Sequence, residues 1–363
     1  MGDNMKKGML TVIIVWSILL IGSLIYFNRD KIFKGTNYTN LGYSEISSQK
    51  IKDLKIDAFI KDTYSKTLDK ALESDKYVND YLQEYMNIDY IENNDFINSI
   101  NDLLKKDYKS NDINSLSFIL SSPYYKYEVL DSYLQYYKKN SDKKDNIVIL
   151  TNIGLNNDFY TNIREIKDPD NLLVLVNKYN KLPDNYKPSN LEDFDSKYKI
   201  SKHEKPMRKE AHDALIKLID DINKEGMDLW INSTFRTKDY QNELFTNSVK
   251  RNGMEHALIY SAKPRHSEHE TGLAVDLSAE KSGVIETFDK FKQYDWMKEN
   301  AHKYGFIERY PKGKEWITGY AYEPWHYRYV GVEVATKIKE EGITFEEYSV
   351  KYLGYFSSTA KEQ

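Results

Sequence analysis

Two histidines, an aspartate and a glutamate carry the clearest chemistry in this sequence. His269 and Asp276 stand seven residues apart in Ser-Glu-His-Glu-Thr-Gly-Leu-Ala-Val-Asp, and His326 follows in Glu-Pro-Trp-His. A catalytic zinc ion typically takes three protein ligands from nitrogen, sulfur or carboxylate oxygen and leaves a fourth position for water. The 363 residues include no cysteine, so only histidine and carboxylate ligands remain. The pattern therefore indicates a zinc hydrolase that binds Zn²⁺ through His269, Asp276 and His326.

Glu323 remains as the candidate general base. Zinc lowers the pKa of a bound water to about 7, but a nearby carboxylate is still needed to take the proton and pass it to the leaving amine. Strict strand alternation would place Glu323 and His326 on opposite faces, so the backbone must bend between them. Pro324 cannot donate a ladder hydrogen bond and favours an extended residue before it. We therefore expect the bend at Pro324.

A loop that carries His269 and the strands that follow it are expected to hold the ligands. The segment Gly272 to Val275 predicts a turn into a short buried strand, and the aromatic run Trp325 to Val330 favours another strand. A third strand is predicted over Leu229 to Ser233, with Arg236 in the loop just beyond it, where functional residues are common. Strands between helices, with ligands on several strands, predict an α+β domain with a central antiparallel sheet and flanking helices.

Helices of the same region are predicted from apolar spacing. Five apolar residues between Ala211 and Ile222 share one helical face, and Gly226 is expected just after the end of that helix. Thr237 is a suitable N-cap for the next helix. Later helices are predicted to end at Gly305 and to occupy residues 332–342 and 345–353. The stretch Pro311 to Lys314 is expected to form a hairpin-like return toward Glu323.

The pattern Ser-x-His-x-x-Gly-x-Ala-x-Asp followed by Glu-x-x-His resembles the signature of the VanY-type D-alanyl-D-alanine metallocarboxypeptidases. These belong to the lysostaphin, D-Ala-D-Ala peptidase and hedgehog-like fold group, so the resemblance implies a hedgehog-like zinc peptidase domain. It implies His269, Asp276 and His326 as zinc ligands and Glu323 as the base. The similarity extends from about residue 182 to about residue 355.

The resemblance also indicates residues that contact the substrate. Ser233-Thr234-Phe235-Arg236, with Gln241 further on, is similar to the family's substrate-contacting segment. It implies that Arg236 stabilises the oxyanion or orients the substrate, with Gln241 and Ser267 as hydrogen-bonding partners of the terminal residue. Without the resemblance, Arg236 would be interpreted as an exposed surface arginine. Arg265-His266 departs from the small or glycine-rich residues common before the family motif.

The function implied by the resemblance is hydrolysis of the terminal D-Ala from peptidoglycan stem peptides. The sequence leaves open an L,D-carboxypeptidase, a dipeptidase or an endopeptidase on the same stems. A non-catalytic, metal-containing module that binds the cell wall is a further alternative. A binding module has no need of a base beside the third ligand, so Glu323 favours the enzyme. The oligomeric state is left open as well.

Residues 1–34 are interpreted as a cytoplasmic stub and a membrane anchor. The segment Gly8 to Phe27 has no charged residue, and about 20 apolar residues span a bilayer. A cleaved signal peptide is the competing interpretation, but bulky residues occupy 24–29 where small ones would mark a cleavage site. Basic residues flank the segment on both sides and do not set its orientation. The implied cell-wall substrate predicts a single-pass membrane protein with an extracytoplasmic catalytic domain.

The remaining regions are predicted from composition and spacing. Residues 35–180 are expected to form a polar stalk up to about Lys50 and then a mostly helical region, and residues 181–363 the catalytic domain. Apolar residues at helical spacing, such as Val78, Tyr81, Leu82 and Tyr85, support the helical region. The net charge of −4 gives no basic footprint for nucleic acid.

Overall fold

The computed structural model describes residues 36–60, 62–201, 206–280 and 285–355. The chain divides into two compact units between Ser121 and Ser122. The predicted anchor from Gly8 to Phe27 lies outside the described residues and stays a prediction. Within the described residues, no helix is long and apolar enough to cross a membrane.

The first unit is helical. Ser44 and Ser65 cap two of its helices, since their hydroxyls accept hydrogen bonds from the backbone N–H groups of Ser47 and Leu68. Apolar residues of the longer helices, such as Ile100, are fully buried. This confirms the predicted helical character of these residues. The helices are α1 (Tyr38–Leu41), α2 (Glu45–Asp53), α3 (Asp57–Ile60), α4 (Lys66–Glu73), α5 (Leu82–Asn87), α6 (Phe96–Lys105), α7 (Ser110–Ser115) and α8 (Ser117–Leu120).

The stalk predicted up to Lys50 is wrong, because α1 and α2 occupy this stretch. Tyr38 and Tyr43 are buried. The hydroxyl of Tyr38 donates to Asp57 Oδ1 (2.5 Å), and that of Tyr43 donates to the Thr63 carbonyl (3.1 Å). A tyrosine ring contributes apolar contact area while its hydroxyl stays hydrogen-bonded. This polar but tyrosine-containing segment therefore packs as helices.

In its described residues, the second unit combines helices with three small sheets. Its helices are α9 (Leu130–Lys139), α10 (Ile147–Ile153), α11 (Lys209–Lys224), α12 (Lys238–Asn252), α13 (Met254–Tyr260), α14 (Lys292–Asn300), α15 (Glu315–Thr318), α16 (Val332–Glu341) and α17 (Phe345–Tyr352). Its strands are β1 (Arg164–Glu165), β2 (Asn180–Lys181), β3 (Leu191–Glu192), β4 (Met207–Arg208), β5 (Trp230–Ser233), β6 (Ala274–Ser278), β7 (Phe306–Glu308) and β8 (His326–Tyr329). The residues of α9 and α10 were predicted to belong to the helical region that precedes residue 181. The structure groups them with the sheets in the second unit. The predicted domain boundary at 181 is not otherwise tested.

The central sheet has four strands in the order β5-β6-β8-β7, and every neighbouring pair is antiparallel. This confirms the predicted antiparallel sheet within a mixed helix and sheet fold. Asp276 on β6 pairs with His326 on β8, and it also lies opposite Ser233 on β5 after a register shift. The register therefore places two predicted ligands side by side, next to the end of the strand that leads to Arg236.

The two faces of the sheet have different environments. Val275, Leu277 and Tyr327 face the main hydrophobic core of this unit, which also contains the apolar side of α11. Strand side chains alternate between faces, so Asp276 and His326 project from the opposite face. Every residue of β6 is nevertheless buried. The polar residues of the second face are thus enclosed by loops and helices rather than by solvent.

Local signals set the ends of several elements. Gly226 has a φ of 72° just past α11, as expected for a residue after a helix C-terminus. Thr237 accepts a hydrogen bond from the Tyr240 N–H at the start of α12. The turn predicted at Pro311 is present, because the Lys314 N–H donates to the Pro311 carbonyl (3.2 Å), and the chain returns to Glu323, whose N–H donates to the Tyr310 carbonyl (3.1 Å). The helix α15 within this return was not predicted. Ile317 of α15 is fully buried and packs in an apolar cluster with α10 and α17, which favours the extra helix.

Candidate metal centre

Three side chains converge in the way a metal site requires. One ligand atom each from His269, Asp276 and His326 lies within 4.8 Å of the others, and all three residues are buried. The Asp276 Oδ1 atom is 3.2 Å from His269 Nε2 and 3.1 Å from His326 Nδ1. Two imidazole nitrogens and one carboxylate oxygen form a donor set that suits zinc, which accepts both ligand types in catalytic sites.

The turn that carries His269 depends on Gly272. His269 lies in a single 3₁₀ turn, Glu268–Thr271, and Gly272 follows with a φ of 71° before β6 begins. A Cβ atom at Gly272 would lie 3.1 Å from Arg208 Cγ and 3.0 Å from Leu191 Cδ2. Only glycine combines this backbone conformation with so close an approach. The turn orients His269 toward the strand that supplies Asp276.

His269 presents its Nε2 atom to the site. Its Nδ1 atom lies 2.7 Å from the Thr234 carbonyl oxygen, an acceptor, so Nδ1 carries the proton. Burial, followed by the charge of Arg236, lowers the pKa of His269 to about 4. The ring is therefore neutral at neutral pH, as a metal ligand must be.

Glu323 lies beside the third ligand. The predicted bend at Pro324 is a β-turn, in which the His326 N–H donates to the Glu323 carbonyl (3.1 Å). The Glu323 N–H donates to the Tyr310 carbonyl (3.1 Å), which fixes the start of the turn. The Glu323 Oε2 atom lies 3.8 Å from His326 Nδ1. Burial raises the pKa of Glu323 to about 7, a value suited to a general base at neutral pH.

Arg236 is tied to Asp276 and to the strand before it. Its Nη2 atom donates to Asp276 Oδ2 (2.7 Å), and its Nε atom donates to Ser233 Oγ (2.8 Å). Burial alone would raise the pKa of Asp276, but His269, which is protonated at the low pH where Asp276 titrates, and Arg236 hold that pKa well below its usual range. Asp276 thus keeps one oxygen on Arg236 and turns the other toward the two histidines.

Gln241 and Ser267 line the same cavity of about 300 Å³ as the metal-site residues. The Nη1 atom of Arg236 points to Gln241 Oε1 (3.4 Å), and Gln241 Nε2 donates to the Ala262 carbonyl (2.8 Å). Both Gln241 and Ser267 are buried. The structure therefore brings all seven predicted site residues to one cavity. Its remaining lining includes Tyr260, Tyr310, Tyr320 and Trp325.

The two residues that depart from the family pattern are both buried. Arg265 donates to the carboxylate of Glu270 (3.2 Å) and to the Tyr186 carbonyl (3.1 Å). His266 Nδ1 lies 2.8 Å from the Asn177 carbonyl. These contacts connect the segment just before the metal motif to Tyr186, Glu270 and Asn177.

A buried network of charged residues next to His326 was not predicted from the sequence. Glu268, which the family pattern treats only as a spacer, accepts from Arg309 Nε (2.8 Å), and Arg328 Nη1 lies 3.0 Å from the same Oε1 atom. Arg309 also donates to both oxygens of Glu346 (2.9 and 2.6 Å). Burial would raise the pKa of Glu268, but the two guanidinium groups lower it well below its usual range. The signal available in the sequence was a charged residue inside a short buried motif.

Comparisons with known proteins identify related sequences. The model of the VanY family, described as D-alanyl-D-alanine carboxypeptidase, matches residues 204–332. A protein of Bacillus subtilis (strain 168) named "Putative carboxypeptidase YodJ" is 41% identical over 226 residues, which cover 59% of this chain and 82% of that protein.

Two solved structures are also similar. The LdcB LD-carboxypeptidase is 43% identical, with a TM-score of 0.49. The match covers 54% of this chain and 94% of the LdcB chain. The vancomycin-resistance D,D-pentapeptidase VanY of a VanB-type cassette, solved in complex with Zn(II), is 36% identical. It covers 48% of this chain and 97% of its own, with a TM-score of 0.42.

Proposed function

Since this chain belongs to the VanY family of D-alanyl-D-alanine carboxypeptidases and is a peptidase of that type, we propose that it removes the terminal D-Ala from peptidoglycan stem peptides. The observation that carries the proposal is the convergence of His269, Asp276, His326 and Glu323 in one cavity. A non-catalytic binding module would have no need of Glu323, a buried carboxylate with a pKa raised to about 7 beside the third ligand.

The residues that would hold zinc are His269 through Nε2, Asp276 through Oδ1 and His326 through Nδ1. The chemistry that zinc supplies in such a site is activation of a water molecule and polarisation of the scissile carbonyl. The three donors lie in a buried pocket wall, where electrostatic interactions are stronger than in water.

Glu323 is the proposed general base. It accepts one proton of the water as the C–O bond forms, and it then delivers that proton to the nitrogen of the departing D-Ala, so that the C–N bond breaks and the amine leaves. Its carboxylate lies on the cavity side of His326, 3.8 Å from Nδ1. The raised pKa allows the same group to hold the proton briefly and release it.

Arg236, Gln241 and Ser267 are the proposed substrate contacts. A guanidinium group suits a terminal carboxylate or a developing oxyanion, because it donates paired hydrogen bonds in a fixed plane. Arg236 is anchored through Nε and Nη2, which leaves the Nη1 side, next to Gln241, for the substrate. Ser267 lines the same cavity one residue before the metal-binding turn.

Defined stem peptides test the proposal. The purified full-length protein, supplied with zinc, is incubated with tri-, tetra- and pentapeptide stems, and the products are identified by mass spectrometry. We expect loss of one D-Ala from the pentapeptide that ends in D-Ala-D-Ala, and little cleavage of the same peptide with an amidated C-terminus. Preferred trimming of the tetrapeptide would show an L,D-carboxypeptidase, and release of D-Ala-D-Ala a dipeptidase. Equal cleavage of free and amidated stems would show an endopeptidase.

The location of the enzyme is part of the proposal. A cell-wall substrate requires the catalytic unit outside the membrane, and the uncharged segment Gly8 to Phe27 is long enough to anchor it there. Protease added to intact, wall-stripped cells should digest the catalytic unit. Digestion only after lysis would refute this topology.

A further inference from the structure

We propose that Glu268 is a positioning residue that selects which nitrogen of His326 faces the metal. The proposal rests on the metal site of the proposed function. Glu268 is held beneath His326 with one carboxylate oxygen, Oε2, 3.5 Å from His326 Nε2. By accepting the Nε2–H, Glu268 keeps Nδ1 free of a proton and directed at the site.

The two ligand histidines use different nitrogens. His269 offers Nε2 because its Nδ1–H is bonded to the Thr234 carbonyl, whereas His326 offers Nδ1 beside Asp276. A ligating histidine almost always donates its other N–H to a carboxylate, a carbonyl or water, and this partner fixes the tautomer and the ring orientation. For His326 the corresponding partner is Glu268.

In the described structure, Glu268 and His326 each direct one buried atom without a hydrogen-bond partner toward the other residue. Among the residues that the structure describes, Glu268 Oε2 and His326 Nε2 are both buried and neither has a hydrogen-bond partner, while the two atoms lie 3.5 Å apart. The Oε1 atom of Glu268 is already occupied by Arg309 (2.8 Å) and Arg328 (3.0 Å). The carboxylate therefore has one oxygen committed to arginines and one directed at the imidazole.

The network around Glu268 is built to hold it still. The side chains of Glu268, Arg309 and Arg328 have 0% exposure, and that of Glu346 has 1%. Two carboxylates face two guanidinium groups, so their formal charges cancel, which suits the neutral imidazole that His326 needs in order to bind zinc. Paired and hydrogen-bonded in this way, buried charges are fixed in one geometry.

The substitution Glu268→Gln reverses the polarity of the contact. The amide oxygen must take the Oε1 position, because Arg309 and Arg328 can only donate. The amide NH₂ group then points at His326 Nε2 and requires that atom to accept. The ring changes to the tautomer with a proton on Nδ1, the atom that would bind the metal. The substitution therefore keeps the shape of the side chain at position 268 but exchanges the tautomer of His326.

Glu346→Gln is the matched control. It removes the same charge from the same buried network, and Glu346 contacts Arg309 just as Glu268 does. In the described structure its carboxylate binds Arg309 and not His326. A role that acts only through stability or net charge affects both variants alike, whereas a positioning role affects Glu268→Gln.

Zinc affinity, measured by competition with a chromophoric chelator, tests the proposal on the full-length protein. We expect Glu268→Gln to bind zinc roughly 10- to 100-fold more weakly than the parent, the usual cost of losing such a partner, and Glu346→Gln to bind as the parent does. Nitrogen-15 histidine spectra of the zinc-saturated proteins should show His326 protonated at Nε2 in the parent and the control. Parent-like affinity of Glu268→Gln, or equal losses in both variants, would overturn the proposal.

A second variant tests the same role in case the Glu268→Gln protein does not fold. Glu268→Asp keeps the charge, but the arginines hold the shorter carboxylate away from His326, so zinc affinity must still fall. Unchanged affinity in a folded Glu268→Asp would then refute the positioning role. The readout is separate from peptide hydrolysis. A parent that binds zinc but cleaves no stem refutes the proposed function alone, whereas a parent that binds no zinc refutes both.

Discussion

Replacement of Glu323 by glutamine should lower turnover and raise stability in the same molecule. Glutamine keeps the size of the side chain but accepts no proton. General acid–base groups contribute about 10²- to 10⁴-fold to rate, or about 3–5 kcal/mol of activation free energy. Zinc content should be unchanged, because the proposed ligands are His269, Asp276 and His326. Hydrolysis of a pentapeptide stem at saturating substrate gives the first measurement.

The stability gain follows from the pKa of Glu323. Burial raises it from an ordinary value of 4.5 to about 7 in the metal-free protein. The folded state therefore holds this proton more tightly than the unfolded state, so stability is lost as pH rises from about 4.5 to about 7. At 1.36 kcal/mol per pKa unit, the full loss is about 3 kcal/mol. Glutamine has no proton to lose and avoids it.

Urea unfolding of the metal-free proteins at pH 5 and pH 8 measures this difference. Four of the five tryptophans lie in the second unit, so tryptophan fluorescence reports mainly on its unfolding. The parent should lose about 2–3 kcal/mol relative to Glu323→Gln between the two pH values. The exposed Glu340→Gln is the control and should follow the parent in both assays. Parent-like turnover of Glu323→Gln would refute the assignment of the base, and parallel pH profiles would refute the buried, ionising carboxylate.

Three further results are expected. His269→Ala, Asp276→Ala and His326→Ala should each lose zinc, and unchanged zinc in all three by elemental analysis would remove the metal site. Burial lowers the pKa of His326, but its hydrogen bonds to Asp276 and Glu268 raise it to about 9 in the metal-free protein. Protons therefore compete with zinc below that pH, so zinc affinity should rise with pH through the neutral range in chelator competition, and a flat profile would contradict this. Arg236→Lys should hydrolyse stems much more slowly, because an ammonium group cannot reproduce the bonds of the guanidinium fork; parent-like kinetics would exclude the role.

The candidate metal ligands and Glu323 could be proposed from the sequence because their types are chemically restrictive, whereas Arg236, Gln241 and Ser267 were predicted only from the resemblance to the family. Histidine and aspartate at the start of a buried strand, with glutamate and histidine around a proline, leave few structural alternatives. The bend at Pro324 was predicted from strand alternation together with the backbone properties of proline, and the structure contains it as a β-turn. The antiparallel sheet was likewise predicted from the need to bring ligands together from different strands. Its register, which pairs Asp276 with His326, required the structure.

Other features depend on contacts that sequence spacing does not encode. The polar segment that contains Tyr38 and Tyr43 is helical because both rings find buried positions with partners for their hydroxyls. The α15 helix forms where Ile317 reaches a cluster built from distant segments. In each case the deciding partner lies far away in sequence, and local composition alone favours a loop.

The alternation of side chains along β6 and β8 explains why charged residues occupy one buried face of the sheet. Val275 and Tyr327 direct one face into the apolar core, which leaves Asp276, His326 and Arg328 on a second face that is also buried. Burying unpaired charges is costly, so each charge on this face needs an opposite partner. Arg236 is bonded to Asp276, and Arg328 lies against Glu268. A charged residue at a buried strand position is thus a sign that its partners lie within the same layer. Applied to β8, this rule indicates Arg328, and through it Glu268, as members of the site.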